Sequence, residues 1–288
     1  MNKVIVTLLM GMGIICVVPE ANSREFKEHI SKEFTLSANA AGSTLLIYNI
    51  SGFIKVEGYN GEKVLFEIDK TISADDDKIL ETGKKEFRLD FDQKADTIMA
   101  YIAGPYDSRP RRNWQYNDDR PEIEYKYNAD FIVKVPSGMN LQISTVNNGI
   151  ISVNNVAGTL NISNVNGEIS VKNARGSTYA HTINGDLSVS YLANPAEASS
   201  YNTINGNINV SYQPGFSGDL NFKSMHGDLF TDFPDVLLLP ASIIKTQEKK
   251  GSGLVYKLST ITVVRFGKGG KTFKFETLNG NVYIKKQS

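Results

Sequence analysis

Along the middle of the chain, glycines punctuate a strict alternation of apolar and polar positions. They stand at 149, 158, 167, 176 and 185, nine residues apart, and recur at 206, 218 and 227, with outlying copies at 52 and 280. The second and fourth residues after most of these glycines are apolar. Examples are Ile151 with Val153, Leu160 with Ile162, Ile169 with Val171, Leu187 with Val189 and Ile208 with Val210. The outlying copies obey the same rule with Ile54 and Val56, then Val282 and Ile284, whereas the copies after Gly176 and Gly227 are weaker. Period-two spacing marks a strand with one buried face, and a glycine before it supplies a turn. A nine-residue unit cannot bury its apolar face alone, but a stack of such units can, so the pattern predicts an all-β, β-solenoid architecture.

The turns alternate in kind. Asn166-Gly167, Asn184-Gly185, Asn205-Gly206, His226-Gly227 and Asn279-Gly280 share one type, each behind an apolar residue, while Ala157-Gly158 and Arg175-Gly176 form another. Two halves therefore make a coil of 18 residues, followed by two coils of 21 whose extra residues fall at Asn194-Pro195 and Gln213-Pro214-Gly215, where proline excludes an interior strand. Asn-Gly between alternating apolar residues also signals antiparallel hairpins, but a sandwich would not hold a nine-residue period over four successive intervals.

The predicted organisation is a β-rich capping region at 24–139, repeats at 140–232 and a C-terminal β-rich region at 233–288 that closes the stack. In the first, Leu45 to Val56 and Val64 to Ile72 read as strands and Ala74 to Lys85 as a short helix with an acidic start. Phe87 to Phe91 and Thr97 to Ala103 read as extended, and strands resume at Glu122. In the last region, Leu237 to Pro240 and Leu254 to Phe266 flank a loop holding Lys249, Lys250, Gly251 and Gly253.

The segment from Phe131 to Gly138, Ser144-Thr145-Val146-Asn147, the serial Val/Ile-Asn-Gly turns and the closing Phe275-Glu276-Thr277-Leu278-Asn279-Gly280-Asn281-Val282 carry a family likeness. Through them the chain resembles the DUF4097 adhesin-like family of bacterial secreted proteins over most of its length. It departs from that pattern in an aromatic, arginine-rich loop and in an extra asparagine before Gly149. The resemblance implies a right-handed β-helix-like fold in an envelope or surface protein, with no catalytic residues to carry over.

Composition narrows the chemistry. The chain has 31 basic and 31 acidic residues, three histidines and one cysteine, which argues against nucleic acid, zinc and thiol chemistry. Residues 1–23 read as a secretory signal: Lys3, an uncharged apolar run from Val4 to Val18, then Ala21-Asn22-Ser23 as a cleavage site. Cys16 follows Ile15, where a lipobox needs a small residue, so a lipoprotein is the lesser reading. Cleavage after Ser23 leaves no cysteine. Charge is nevertheless uneven. Residues 245–288 hold ten basic and two acidic side chains, a net +8, while residues 24–244 carry −8. The basic end can meet anionic lipid or pair with the acidic part of its own fold, and the second is the simpler expectation.

Three candidate sites emerge. His226 and Asp228, near Ser224, have the residue types of a hydrolase, but His226 occupies the place held by asparagine in other turns. Glu168, Asp186, Asp219 and Asp228 could serve a polysaccharide-active β-helix enzyme or hold calcium or sugar, if they gather on one coil face. Asn166, Asn184 and Asn205 read as a structural ladder of stacked amides, with His226 continuing it. The most binding-like feature is the loop from Pro105 to Pro121 with Tyr106, Arg109, Arg111, Arg112, Trp114 and Tyr116, suited to a glycan or a protein; a tethered flap over a sheet edge is the simpler expectation for it. The sequence thus predicts a non-enzymatic secreted or cell-envelope adhesin or scaffold, without cofactor or metal, meeting an extracellular protein, glycan or matrix. The alternatives are an envelope-stress accessory that binds lipid or a membrane regulator, and the polysaccharide enzyme.

Overall fold

A computed structural model describes residues 23–37, 39–110, 122–250 and 253–287. Cys16 and all of the predicted signal except Ser23 lie outside them. No helix among the described residues is long and apolar enough to cross a membrane.

The N-terminal region contributes β1 (Arg24–Thr35), β2 (Thr44–Tyr48), β3 (Ile54–Tyr59), β4 (Lys63–Ala74), α1 (Asp77–Glu86), β5 (Arg88–Lys94), β6 (Thr97–Gly104) and β7 (Lys126–Pro136). The stretch expected as one strand from Leu45 to Val56 is two, β2 and β3, which enter different sheets. Between them Asn49 turns inward and its Nδ2 donates to the carbonyls of Gly52 and Ala129. The helix starts three residues later than expected, because Asp76 acts as its N-cap and accepts from the Ile79 N–H at 2.8 Å. Strand β1, absent from the sequence reading, pairs antiparallel with β4 along its whole length.

The repeats follow as β8 (Asn140–Ser144), β9 (Ile151–Asn154), β10 (Leu160–Ser163), β11 (Ile169–Ala174), β12 (Thr178–His181), β13 (Leu187–Tyr191), β14 (Ser200–Asn202) and β15 (Ile208–Tyr212). Odd-numbered strands of this series join one sheet and even-numbered strands the other, so the chain crosses between sheets at every turn. Pairing along each sheet is parallel. Ile151 lies beside Ile169, Ile169 beside Leu187, and Leu187 beside Ile208, the 18- and 21-residue spacings expected. The outlying first copy joins the same rows, with Ile54 beside Ile151 and Leu45 beside Leu141. Burial alternates with the sequence: Ile169, Val171, Leu187, Val189, Ile208 and Val210 are buried, each worth about 1.5–3 kcal/mol.

The C-terminal region adds β16 (Gly218–Lys223), β17 (Leu229–Thr231), β18 (Val236–Lys250), β19 (Gly253–Phe266), β20 (Thr272–Glu276) and β21 (Val282–Lys286). Among the described residues the result is all-β apart from α1 and one short 3-10 turn. The first mixed sheet has the order β1-β4-β7-β3-β9-β11-β13-β15-β21-β17, and the second β18-β19-β16-β20-β14-β12-β10-β8-β2-β6-β5.

This order corrects the sequence reading at one point. The coil at Gly227 was expected beside that at Gly206, with Gly280 closing the stack. Instead β21 lies between β15 and β17, and β20 between β14 and β16, so the last copy in sequence is inserted before the previous one. The reason is the antiparallel pair β18–β19. It folds back on β16 and delivers the chain to the other edge of that strand. Aromatic packing then holds the insert: Phe273 lies 5.1 Å from Phe216 and 5.9 Å from Tyr212, and Phe275 4.8 Å from Tyr201. Lys249 and Lys250, expected in a loop, are in strand β18, opposite Leu254 and Gly253.

Candidate functional site

Each Asn-Gly corner where the chain enters the first sheet is built from four residues with separate tasks. Glycine is required by close approach: a Cβ on Gly185 would collide with the carbonyl of Gly167, and one on Gly206 with that of Gly185. The asparagine before it faces out and bonds to its counterpart on the next coil. Asn166 Nδ2 donates to Asn147 Oδ1 (3.2 Å), Asn184 Nδ2 to Asn166 Oδ1 (2.8 Å), and Asn205 Nδ2 to Asn184 Oδ1 (2.8 Å). Asn279 Nδ2 donates to Asn205 Oδ1 (2.7 Å), and His226 Nδ1 lies 3.1 Å from Asn279 Oδ1. The expected ladder is therefore continuous, with Asn147 and Asn279 as further rungs and His226 as the last.

A second ladder, not anticipated, lies inside. Thr145, Asn164, Thr182, Thr203 and Thr277 are buried, and their side chains donate to the carbonyls of Gly52, Gly149, Gly167, Gly185 and Gly206 respectively. These bonds satisfy carbonyls that the corner would otherwise bury unpaired. Ser224 holds the same place in the last coil, yet its Oγ is buried without a partner. A sequence signal existed: Asn or Thr three residues before the glycine at 164, 182, 203 and 277.

Between the two ladders each coil carries one apolar side chain, half-buried at Ile50, Val146, Val165 and Ile183 and exposed at Ile204 and Leu278. Backbone hydrogen bonds link Ile50, Val146, Val165, Ile183, Ile204 and Leu278 to the asparagine or histidine of the next coil, which orders them as a row. Met225 ends it, 70% exposed. The corner thus presents parallel rails, one of amides and one of aliphatic groups, repeating at the strand spacing of about 4.8 Å.

The acidic positions do not converge. Asp186 Oδ1 accepts from the Asn207 N–H, and Asp228 donates its own N–H to Asn281 Oδ1, so both serve turn-to-turn bonding. Asp219 is on a different face, in a two-point ion pair with Arg265 that holds its carboxyl below the usual carboxylate range. Glu168 and Asp186 stand at equivalent places on adjacent coils, just before the paired Ile169 and Leu187, and no hydrogen bond joins their side chains. No hydrogen bond links His226 to Ser224 or Asp228. No group of three or more histidine, cysteine or acidic side chains gathers as a metal site among the described residues. From the basic C-terminal region, Arg265 pairs with Asp219 and Lys271 with Glu197, which fits pairing within the fold.

Of the loop residues, Tyr106 and Arg109 are described, while Arg111, Arg112, Trp114 and Tyr116 lie outside the described residues. Tyr106 lines a cavity of about 830 Å³ together with Lys78, Arg88 and Tyr125. Arg109 is engaged elsewhere. Its guanidinium binds Asp107 at 2.6 Å, which raises its pKa, and lies 4.0 Å from the centre of the Tyr101 ring. The two predicted neighbours therefore serve different surroundings, the second a structural one.

No protein-family model matches the chain, and no curated protein does. Solved structures offer distant likenesses. A candidate cell adhesion protein from Clostridium sporogenes is 10% identical with a TM-score of 0.42, over 90% of this chain and 100% of that one. A candidate adhesin from Bacteroides fragilis is 9% identical with a TM-score of 0.29, over 90% and 97%. A candidate lipid binding protein from Parabacteroides distasonis is 9% identical with a TM-score of 0.27, over the same shares. At these values nothing is transferred from them to this chain.

Proposed function

We propose that this chain is a non-enzymatic adhesion or scaffold protein of the bacterial surface or envelope, of the DUF4097 adhesin-like kind, working through the outside of a right-handed β-solenoid. The observation that carries the reading is the double rail along the Asn-Gly corner. Exposed Ile204, Leu278 and Met225 stand beside hydrogen-bonded amides at a fixed repeat, on a backbone that each coil locks to the next. Apolar side chains aligned on a rigid surface favour contact with a partner, because little conformational entropy remains to be lost on binding. A periodic partner, such as a glycan strand or an extended matrix polypeptide, meets the same groups at every step.

The test is a glycan and extracellular-matrix array probed with the chain from Arg24 at two salt concentrations, beside an Ile204→Asn/Met225→Asn variant. The expected result is a salt-resistant hit that the variant weakens about tenfold, a loss of about 1.4 kcal/mol. A hit that the variant retains in full would move the binding surface away from this corner, and turnover of any polysaccharide on the array would replace the reading with an enzymatic one.

A further inference from the structure

The cavity of about 830 Å³ lined by Tyr106 and Tyr125 lies apart from the Asn-Gly corner, at the N-terminal end of the stack. Three pieces of chain build it: α1 with the start of β5, the end of β6 running into Tyr106, and residues 122–125 just before β7. Its buried part is Tyr125 and Gly104, and Ile79 and Ile123 add half-buried apolar surface. The rest of the lining is mostly charged.

Two of those charged side chains are engaged by the fold. Asp76 caps α1, and Glu86 Oε2 accepts from the Tyr125 hydroxyl at 3.1 Å. Burial, and then that bond to Glu86, pushes the Tyr125 phenol well above its ordinary value, so it stays protonated and donates. The other five side chains make no hydrogen bond or ion pair among the described residues. They are Lys78, Lys85 and Arg88 on α1 and β5, and Glu122 and Glu124 on the segment before β7. The free cations thus belong to one piece of the lining and the free carboxylates to another, and no ion pair joins the two sets. The backbone of Glu122, Ile123 and Glu124 is in no strand and makes no backbone hydrogen bond among the described residues.

We propose that this cavity binds a short peptide with free ends, its carboxylate held by Lys78, Lys85 and Arg88 and its ammonium by Glu122 and Glu124. A ligand with one kind of charge meets repulsion from one of the two sets, whereas a zwitterion satisfies both. The planar guanidinium of Arg88 suits a carboxylate, which it can meet with two parallel N–H groups. The open backbone at 122–124 selects a peptide over a phosphoethanolamine headgroup, because a peptide carries N–H and C=O groups between its charged ends. Ile79 and Ile123 leave apolar surface for one side chain of the ligand. The cavity volume also falls within the roughly 300–1,000 Å³ of small-ligand sites. This site is independent of the Asn-Gly corner, so a silent glycan array leaves it in place.

Titration calorimetry of the chain from Arg24 tests it, with the tripeptide alanyl-leucyl-alanine, its N-acetyl form and its C-terminal amide. The free peptide should bind, and each blocked form should bind about tenfold more weakly. Lys85→Gln/Arg88→Gln should abolish the effect of amidation and keep that of acetylation. Glu122→Gln/Glu124→Gln should do the converse, so the two ends of the ligand are assigned by double-mutant cycles. All four residues are exposed, and the urea midpoint should stay unchanged in both variants. Charges with a structural role alone would shift that midpoint without separating the two blocked peptides. No binding at millimolar tripeptide overturns the proposal, as does binding that neither block weakens. Tighter binding of glycerophosphoethanolamine than of the tripeptide overturns it too, and moves the site to a lipid headgroup.

Discussion

The N-terminal end of the stack is closed and the C-terminal end is open, although both are made of strands added to the same two sheets. At the N-terminal end α1 lies against β4 and β1, Gly83 is packed so tightly that a Cβ would press on Ile72 and Tyr125, and Phe87 stacks 4.5 Å from Tyr127. Phe34, Phe66 and Phe91 close the other half of that end, with centroids 5.4–5.8 Å apart. At the C-terminal end Phe216, Phe233 and Phe266 form a similar triad with centroids 5.4–6.2 Å apart, but the last strand, β18, lies beyond it with Leu238 69% exposed. A repeat stack needs its terminal faces finished, and here only one end is finished from within the described chain.

Substitutions at matching depths in the stack should expose that inequality. The largest effect is expected at Phe87, which is buried: Phe87→Ala should cost about 3–5 kcal/mol in urea unfolding. The same truncation of Leu238 on the open end should stay within about 0.5 kcal/mol. Equal losses at the two ends would mean that β18 is covered in solution even in the monomer. A smaller effect is expected from the helix cap, where Asp76→Ala should cost about 1 kcal/mol and speed hydrogen exchange across α1 and β1 while leaving β18 unchanged.

The smallest effect depends on pH. His29 on the edge strand β1 lies 2.7 Å from Asp69 and 2.8 Å from Glu67 of β4, and these hydrogen bonds raise its pKa above the ordinary imidazole value of 6.5. A group whose pKa is raised by folding adds stability in full below its unfolded pKa and loses it as pH climbs through the folded one. Exchange protection in β1 should therefore fall as pH rises above the ordinary imidazole value of 6.5, and His29→Gln should flatten the profile. An identical pH response in the variant would remove His29 from the account.

What could be read from the sequence was whatever repeats locally. The glycine period and the alternation after it placed β9 to β13 and β15 in strands and in register, because each contacts a copy of itself one coil away. The Asn ladder followed from the same arithmetic. Long-range exceptions did not. The insertion of Gly280 between Gly206 and Gly227 depends on where β18 and β19 lead the chain, and no local pattern encodes that. Strand β1 was missed because its inward positions read Phe26, Glu28, Ile30, Lys32 and Phe34, so apolar residues recur every fourth place rather than every second. The buried Thr and Asn of the inner ladder were visible in sequence but look like ordinary turn polarity until the glycine carbonyls they satisfy are in view. Arg109 shows what composition leaves out: an aromatic and basic loop suggested a binding surface, and the structure adds that its guanidinium is held by Asp107 and the Tyr101 ring.

The inserted strand pair also sets the order of events in folding. Sheets built up from one end can add each strand as its residues appear, but here β15 and β14 have no partner on their far side until residues 272–286 are present. Neither β16 nor β17 pairs with the preceding repeat strands except through them. A chain that folds from its N-terminus could settle residues 44–212, then would have to hold about sixty residues unplaced until the final two strands slot in. Completion works like a zip whose last tooth belongs in the middle of the row.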